Sequence, residues 1–248
     1  MIKQETVYEM RLVSALEKVF LDERPVYRPE CMKLTALKGE TVSFQAACTC
    51  TSFMKNRVKV RIESPISDRI HVRKVENVPA GRVCGPIVDD NYLKTESGLY
   101  PDLLRELVDG EVDIFPQKWR SIWIDIEVTE DVKAGLYPVT VILEKDGETL
   151  ARAATEVTIY DAVLPKQKMM HTEWFYLDCL ADYYHVPVFS EEHWEIITNY
   201  LKEYVKRGCN MILTPLFTPA LDTAVGIERT TTQLLDVRVE NGNYSFGF

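Results

Sequence analysis

A histidine, two carboxylates, a tryptophan and two threonines gather in the second half of this 248-residue sequence. His171, Glu173 and Trp174 sit in the aromatic run HTEWFYLDCLADYY, and Thr214, Thr218 and Asp222 in the later run NMILTPLFTPALDT. Aromatic rings beside hydroxyls and carboxylates suit a sugar, because the rings stack on its apolar face and the polar groups take its equatorial hydroxyls. Extended backbone would put His171, Glu173 and Phe175 on one face and Thr172, Trp174 and Tyr176 on the other. Other readings stay open: His171 with Glu173 as a buried pair satisfying itself, Trp174 and Trp194 as core aromatics, Asp178 as a cap for the next turn. Asp222 lies in a loop of the kind that carries function. Cleaving a glycosidic bond needs two carboxyl groups facing it, or one acid plus a substrate group acting as nucleophile. No such pair stands out, so no residue is assigned as catalytic. His171, Glu173, Trp174, Thr214, Thr218 and Asp222 are expected to bind substrate.

The spacing predicts the elements that would position them. Met169–Leu177 reads as a buried parallel strand. Ser190 is suited to cap a helix in which Trp194, Ile197, Leu201, Tyr204 and Val205 share an apolar face, with Gly208 ending it. Asn210–Phe217 then returns to strand, which makes a βαβ unit with active groups at the carboxyl ends of its strands. Leu234–Val239 and Asn243–Phe248 read as a hairpin around Asn241-Gly242. Two parallel strands and one helix cannot cover both faces of a parallel sheet. Residues 166–248 are therefore expected to be the first βαβ elements of a larger domain, and the chain the N-terminal portion of a longer protein.

Residues 1–165 read differently, as an antiparallel β-sandwich. Thr41–Thr51, Arg57–Glu63, Arg69–Val75 and Trp119–Val128 have strand composition or clean alternation. In the last of these, Arg120, Ile122, Ile124, Ile126 and Val128 form the core face, with Trp119, Ser121, Trp123, Asp125 and Glu127 opposite. Asp146-Gly147 marks a hairpin. The pattern lapses between Val78 and Gln117, where a short helix over Pro101–Val108 is predicted. The boundary between the two regions is placed at Pro165, since the residue before a proline is pushed to extended backbone.

Bulk composition excludes several function classes. A net charge of −9 with no basic run argues against nucleic acid. No stretch approaches the roughly 18 consecutive apolar residues of a membrane span, and the N-terminus does not resemble a signal peptide. The six cysteines form no C-x-x-C pair and the four histidines are scattered, so neither metal nor cofactor is expected. Cys48 and Cys50 read as small buried hydrophobes, and a reducing cytoplasm fits best.

The runs HTEWFYLDCLADYY and FSEEHWEIITNYLKEYVKRGCNMILTPLFTPALDT resemble glycoside hydrolase family 123 and its large relative, the uncharacterised-domain family numbered 4091. GLYPDLL and the QKWRSIWIDIEV…AGLY stretch are similar to that group's N-terminal domain. The resemblance implies a β-sandwich followed by a truncated (β/α)8 TIM barrel. For family 123 it also implies retaining hydrolysis of N-acetylgalactosaminides, with the substrate's acetamido group as nucleophile, oriented by an Asp beside a Glu general acid. The only Asp-Glu dipeptide here is Asp22-Glu23, in the sandwich region, and it does not match. The chain alone is thus expected to be inactive and its partner to be an amino-sugar glycoside. The alternative is a non-catalytic carbohydrate-binding module.

Overall fold

The computed structural model describes residues 6–26, 28–81, 91–214, 216–217 and 223–247, leaving aside the side chains of Glu30 and Cys31. Within it the chain divides into two compact units, Met1–Leu164 and Pro165–Phe248. The protein is mostly β-sheet with few helices.

The first unit contains β1 (Tyr8–Ser14), β2 (Lys33–Lys38), β3 (Thr41–Cys50), β4 (Asn56–Glu63), β5 (Ile70–Ala80), β6 (Gly98–Glu106), β7 (Glu111–Ile114), β8 (Arg120–Glu127), β9 (Gly135–Lys145) and β10 (Glu148–Val163). They form two five-stranded sheets, ordered β1-β3-β8-β5-β6 and β2-β10-β9-β4-β7. Every pairing in them is antiparallel except β2 with β10. One apolar cluster joins them: Phe44, Ile122, Ile124 and Ile126 from the first sheet meet Val58, Val139, Val141 and Val157 from the second. Each such side chain, taken wholly out of water, stabilises the unit by roughly 1.5–3 kcal/mol. The expected hairpin joins β9 to β10, with Asp146 and Gly147 both at positive φ as its two-residue turn demands.

The outer face of β8 departs from simple alternation. Trp119, Ser121 and Asp125 are buried, although that face was expected to meet solvent. The chain between Ser14 and Pro25 lies against it. Val19 packs with Val13, Ala47 and Trp119, the Gln45 amide donates to the carbonyls of Ser14 (2.9 Å) and Glu17 (2.8 Å), and the Trp119 N–H donates to the Leu21 carbonyl at 2.8 Å. Short-range periodicity cannot report a covering segment that returns from about 100 residues away.

The predicted helix over Pro101–Val108 is instead strand β6, paired antiparallel with β5 along Arg73–Ala80. Its leucine spacing satisfies a helical template only over two turns, and the ladder offered by β5 overrides that weak preference. Pro101 is tolerated because β6 is an edge strand and the register shifts beside it, between Glu76 and Asn77. Cys48 and Cys50 are buried as expected, and burial pushes the Cys48 thiol up to about 12, far from a reactive thiolate.

Glu76 on β5 lies between Lys74 (2.6 Å) and Arg120 (3.0 Å). The Lys74 hydrogen bond, and then the charges of Lys74 and Arg120, hold its carboxyl below the ordinary carboxylate range against the opposing effect of burial. A depressed folded pKa adds stability above the unfolded value, near about pH 4.3, and that contribution drains away as pH falls through the folded value. Thermal melts between about pH 6 and about pH 3 should therefore show a smaller acid-side loss in Glu76→Gln than in the parent. Parallel curves for the two chains would remove Glu76 from the account.

The second unit holds β11 (Thr172–Trp174), α1 (Leu177–Tyr184), α2 (Glu191–Lys206), β12 (Met211–Leu213) and the hairpin β13 (Asp236–Glu240) and β14 (Asn243–Gly247). β11 and β12 pair in parallel, Thr172 to Met211 and Trp174 to Leu213. The long strand expected over Met169–Leu177 is cut short because Leu177, Leu180 and Ala181 have helical spacing and start α1. Ser190 caps α2 as expected, its hydroxyl accepting the His193 N–H at 3.2 Å. The buried face of that helix is rotated from the expected one. His193 and Ile197 are buried, whereas Trp194 and Val205 stand exposed. Asn241 and Gly242 turn the last hairpin at positive φ.

Candidate functional site

Alternation along β11 decides what each of its neighbours can do. Phe175 packs with Leu177, Leu180 and Ile197 in the helical cluster, and its ring meets Tyr204 of α2 edge-on at 5.9 Å. The Tyr204 hydroxyl ties the helix to β11 by bonding both backbone groups of Glu173, donating to its carbonyl at 3.0 Å. Trp174 and Tyr176, with opposite parity, point away from that cluster. Their rings stack at 5.6 Å with 19° between planes, and Trp174 is 58% exposed.

Close to this pair lies Asp178, for which the sequence left a cap of the next turn and a role in the site both open. Asp178 is 3% exposed and accepts two parallel hydrogen bonds from Arg229, Nε to Oδ2 at 2.7 Å and Nη2 to Oδ1 at 3.0 Å. The Arg229 guanidinium carbon lies 4.5 Å from the centroid of the Tyr176 ring, and Nη2 also reaches the Cys179 sulfur at 3.3 Å. A buried carboxylate requires such a partner, since an unpaired charge there is strongly unfavourable. Indole, phenol, guanidinium and carboxylate thus follow one another as a linked series at the carboxyl end of β11.

The expected substrate residues do not all converge on this place. His171 precedes β11, at its amino end. Its N–H donates to Asn210 Oδ1 (2.9 Å) and its carbonyl accepts from Asn210 N (3.1 Å) and Met211 N (3.2 Å). Its ring lies between the Cys209 sulfur, 3.8 Å from Nδ1, and the Glu173 carboxylate, 3.5 Å from Nε2. The anticipated His171–Glu173 pairing therefore forms, with the parity of Phe175 as the alternation implied, but it is exposed rather than buried. Thr214 follows β12, and its hydroxyl oxygen is buried with no hydrogen-bond partner among the described residues. Thr218 and Asp222 lie outside the described residues. Tyr176 and Arg229 were missed. The available signal was Asp178 itself: an acid in an apolar run needs a cation, and Arg229 and Arg238 are the only basic residues after Gly208.

Among the described residues, no group of three or more His, Cys, Asp or Glu side chains is placed to hold a metal ion, and no helix is long and apolar enough to cross a membrane.

The glycoside hydrolase 123 catalytic domain model matches residues 174–248, beginning at Trp174 itself. The glycoside hydrolase 123 N-terminal domain model matches residues 20–145, just over half of the sequence. The chain belongs to glycoside hydrolase family 123. A search of curated protein sequences gave no match. Among solved structures, a family 123 glycoside hydrolase from Clostridium perfringens, described for glycolipid glycan hydrolysis, superposes with a TM-score of 0.69 at 16% identity, over 97% of this chain. The family 123 chain spans 43% of that enzyme's length. At that identity the likeness concerns the fold alone. A CARDB domain from Pyrococcus furiosus (TM-score 0.32, 6% identity, 64% of this chain and 98% of that one) and a β-glucosidase from Listeria innocua (0.30, 10%, 65% and 17%) are too distant to bear on function.

Proposed function

We propose that this family 123 chain forms the β-sandwich and the opening βαβ elements of a (β/α)8 barrel in a hydrolase of N-acetylhexosaminides, in particular N-acetylgalactosaminides. The boundary between them falls at Pro165. The observation that carries this reading is the exposed Trp174–Tyr176 stack, which lies at the carboxyl end of a parallel strand inside the segment matched to the catalytic domain. A pyranose laid on Trp174 would bury the apolar faces of both rings. The substrate's own acetamido oxygen is then the nucleophile at the anomeric carbon in a retaining, substrate-assisted reaction. The acid that protonates the leaving oxygen, with the Asp that orients the acetamido group, is not supplied by the residues of this chain. The chain contributes a wall of the site and its rigid support.

The alternative is a carbohydrate-binding module acting through the first unit. That unit has an open groove of about 990 Å³ whose lining includes Arg11, Met32, Lys33, Thr155 and Glu156 but, among the described residues, no aromatic ring. The absence of a stacking surface there favours the Trp174 platform.

Titrating the chain with methyl N-acetylgalactosaminide while following tryptophan fluorescence tests the reading. A saturable change is expected, and Trp174→Ala should weaken binding roughly ten-fold or more, as the loss of one buried side chain implies. The chain alone should release no aryl alcohol from an aryl N-acetylgalactosaminide. Undiminished binding by Trp174→Ala, or turnover by the chain alone, would overturn the proposal. Saturable binding by residues 1–164 would favour the module instead.

A further inference from the structure

We infer that Asp178 is a positioning residue for the sugar platform: through its clamp on Arg229 it holds Tyr176, and through Tyr176 it sets the plane of Trp174. The substrate-contacting role of Trp174 rests on the function proposed above; the mechanical linkage does not.

Trp174 is 58% exposed, and its stacking on Tyr176 is what fixes the plane of its ring. Tyr176 lies beyond the last residue of β11, so the strand ladder does not fix its ring either. A planar guanidinium laid on the phenol constrains that ring, because the cation is attracted to the ring face over its whole area. A guanidinium orients a ring only as far as its own plane is held. Two parallel hydrogen bonds from Nε and Nη2 to one carboxylate fix it. Asp178 is in turn immobilised by burial at 3% exposure and by its place in the first turn of α1. The least mobile group is thus the carboxylate, and order passes outward from it to the exposed indole. A sugar-stacking ring fixed before the ligand arrives loses less rotamer freedom on binding, which raises affinity without a new contact.

The linkage also explains why this site combines a carboxylate with an arginine when neither faces the open platform directly. It implies that lysine cannot replace Arg229, since an ammonium has neither the fork nor the plane.

The test uses the 248-residue chain and two readouts. Near-ultraviolet circular dichroism of the chain minus that of Trp174→Phe isolates the Trp174 band. Asp178→Asn, which keeps the shape of the side chain but removes the charge from the clamp, should reduce that band by at least half at temperatures well below the melting transition. Arg229→Lys should do the same, whereas Asp178→Glu, which retains a carboxylate, should restore part of it. In parallel, the affinity for methyl N-acetylgalactosaminide should fall about five-fold in Asp178→Asn. If Asp178 matters only for folding, the melting temperature drops while the Trp174 band of the still-folded variant is unchanged, and the inference is wrong. If the band collapses in Asp178→Asn but the parent chain shows no response to the sugar, the positioning holds and the proposed function fails.

Discussion

Asp125→Ala is expected to lower the stability of the first unit by about 3–5 kcal/mol, the usual consequence of stranding one partner of a buried ion pair. The Asp125 carboxylate accepts from Ser43 Oγ at 2.5 Å and Trp123 Nε1 at 2.7 Å, and its other oxygen pairs with Arg73. Both ends of the ion pair are largely shielded, at 19% and 12% side-chain exposure. The pairing is made by Arg73 Nη2, while Arg73 Nε is buried with no hydrogen-bond partner among the described residues, so removing the acid leaves a guanidinium with one end already unpaired. Replacing both charges, as Arg73→Met with Asp125→Leu, should recover much of the loss, because the desolvation cost vanishes with the pair. Thermal melts of the two variants decide this. For a unit of this size, a loss of about 3 kcal/mol corresponds to a drop of roughly 10 °C. A single variant that melts within about 2 °C of the parent would show that the cluster contributes little.

His193→Ala should be comparably severe in the second unit, at about 2–5 kcal/mol. The ring is wholly buried in α2 and joins two segments of backbone. Nδ1 accepts the Phe189 N–H at 2.9 Å, and Nε2 lies 3.0 Å from the Leu177 carbonyl. An acceptor at Nδ1 requires the proton to sit on Nε2, so the tautomer is fixed by its neighbours. The alanine variant leaves a buried donor and a buried acceptor unmatched, and adds a cavity between α1 and α2. Phe189 is already held at a φ of 57°, a conformation costly for a bulky residue, and losing the His193 bond removes one constraint that keeps it there. Amide exchange of α2 measures the effect. Protection should fall by about one and a half to three and a half orders of magnitude, and unchanged protection would show that helix packing alone holds the segment.

What the sequence disclosed follows from the range over which each interaction acts. The alternation of Ile122, Ile124 and Ile126, the Asp146-Gly147 and Asn241-Gly242 turns and the Ser190 cap are encoded within a few residues, and each appears where the spacing placed it. Burial of Trp119 and Asp125 on the opposite face depends on the chain around Val19 and on Arg73, which no local window contains. The strand at Gly98–Glu106 likewise depends on β5. The candidate site divides in the same way. Trp174 announced itself, being a large aromatic beside polar groups, but its support by Arg229 spans more than fifty residues and only the unexplained charge of Asp178 pointed to it.

Trp174 and Phe175 are consecutive residues with opposite duties, one offered to the outside and the other sealed among helices. A pleated strand therefore works here as a reading frame of two. Any insertion or deletion of a single residue within β11 would turn the exposed indole into the core and thrust the core phenylalanine outward. A substitution at Trp174 exchanges one exposed side chain for another and leaves the core in place. A change of length by one residue loses the exposed ring and the core together.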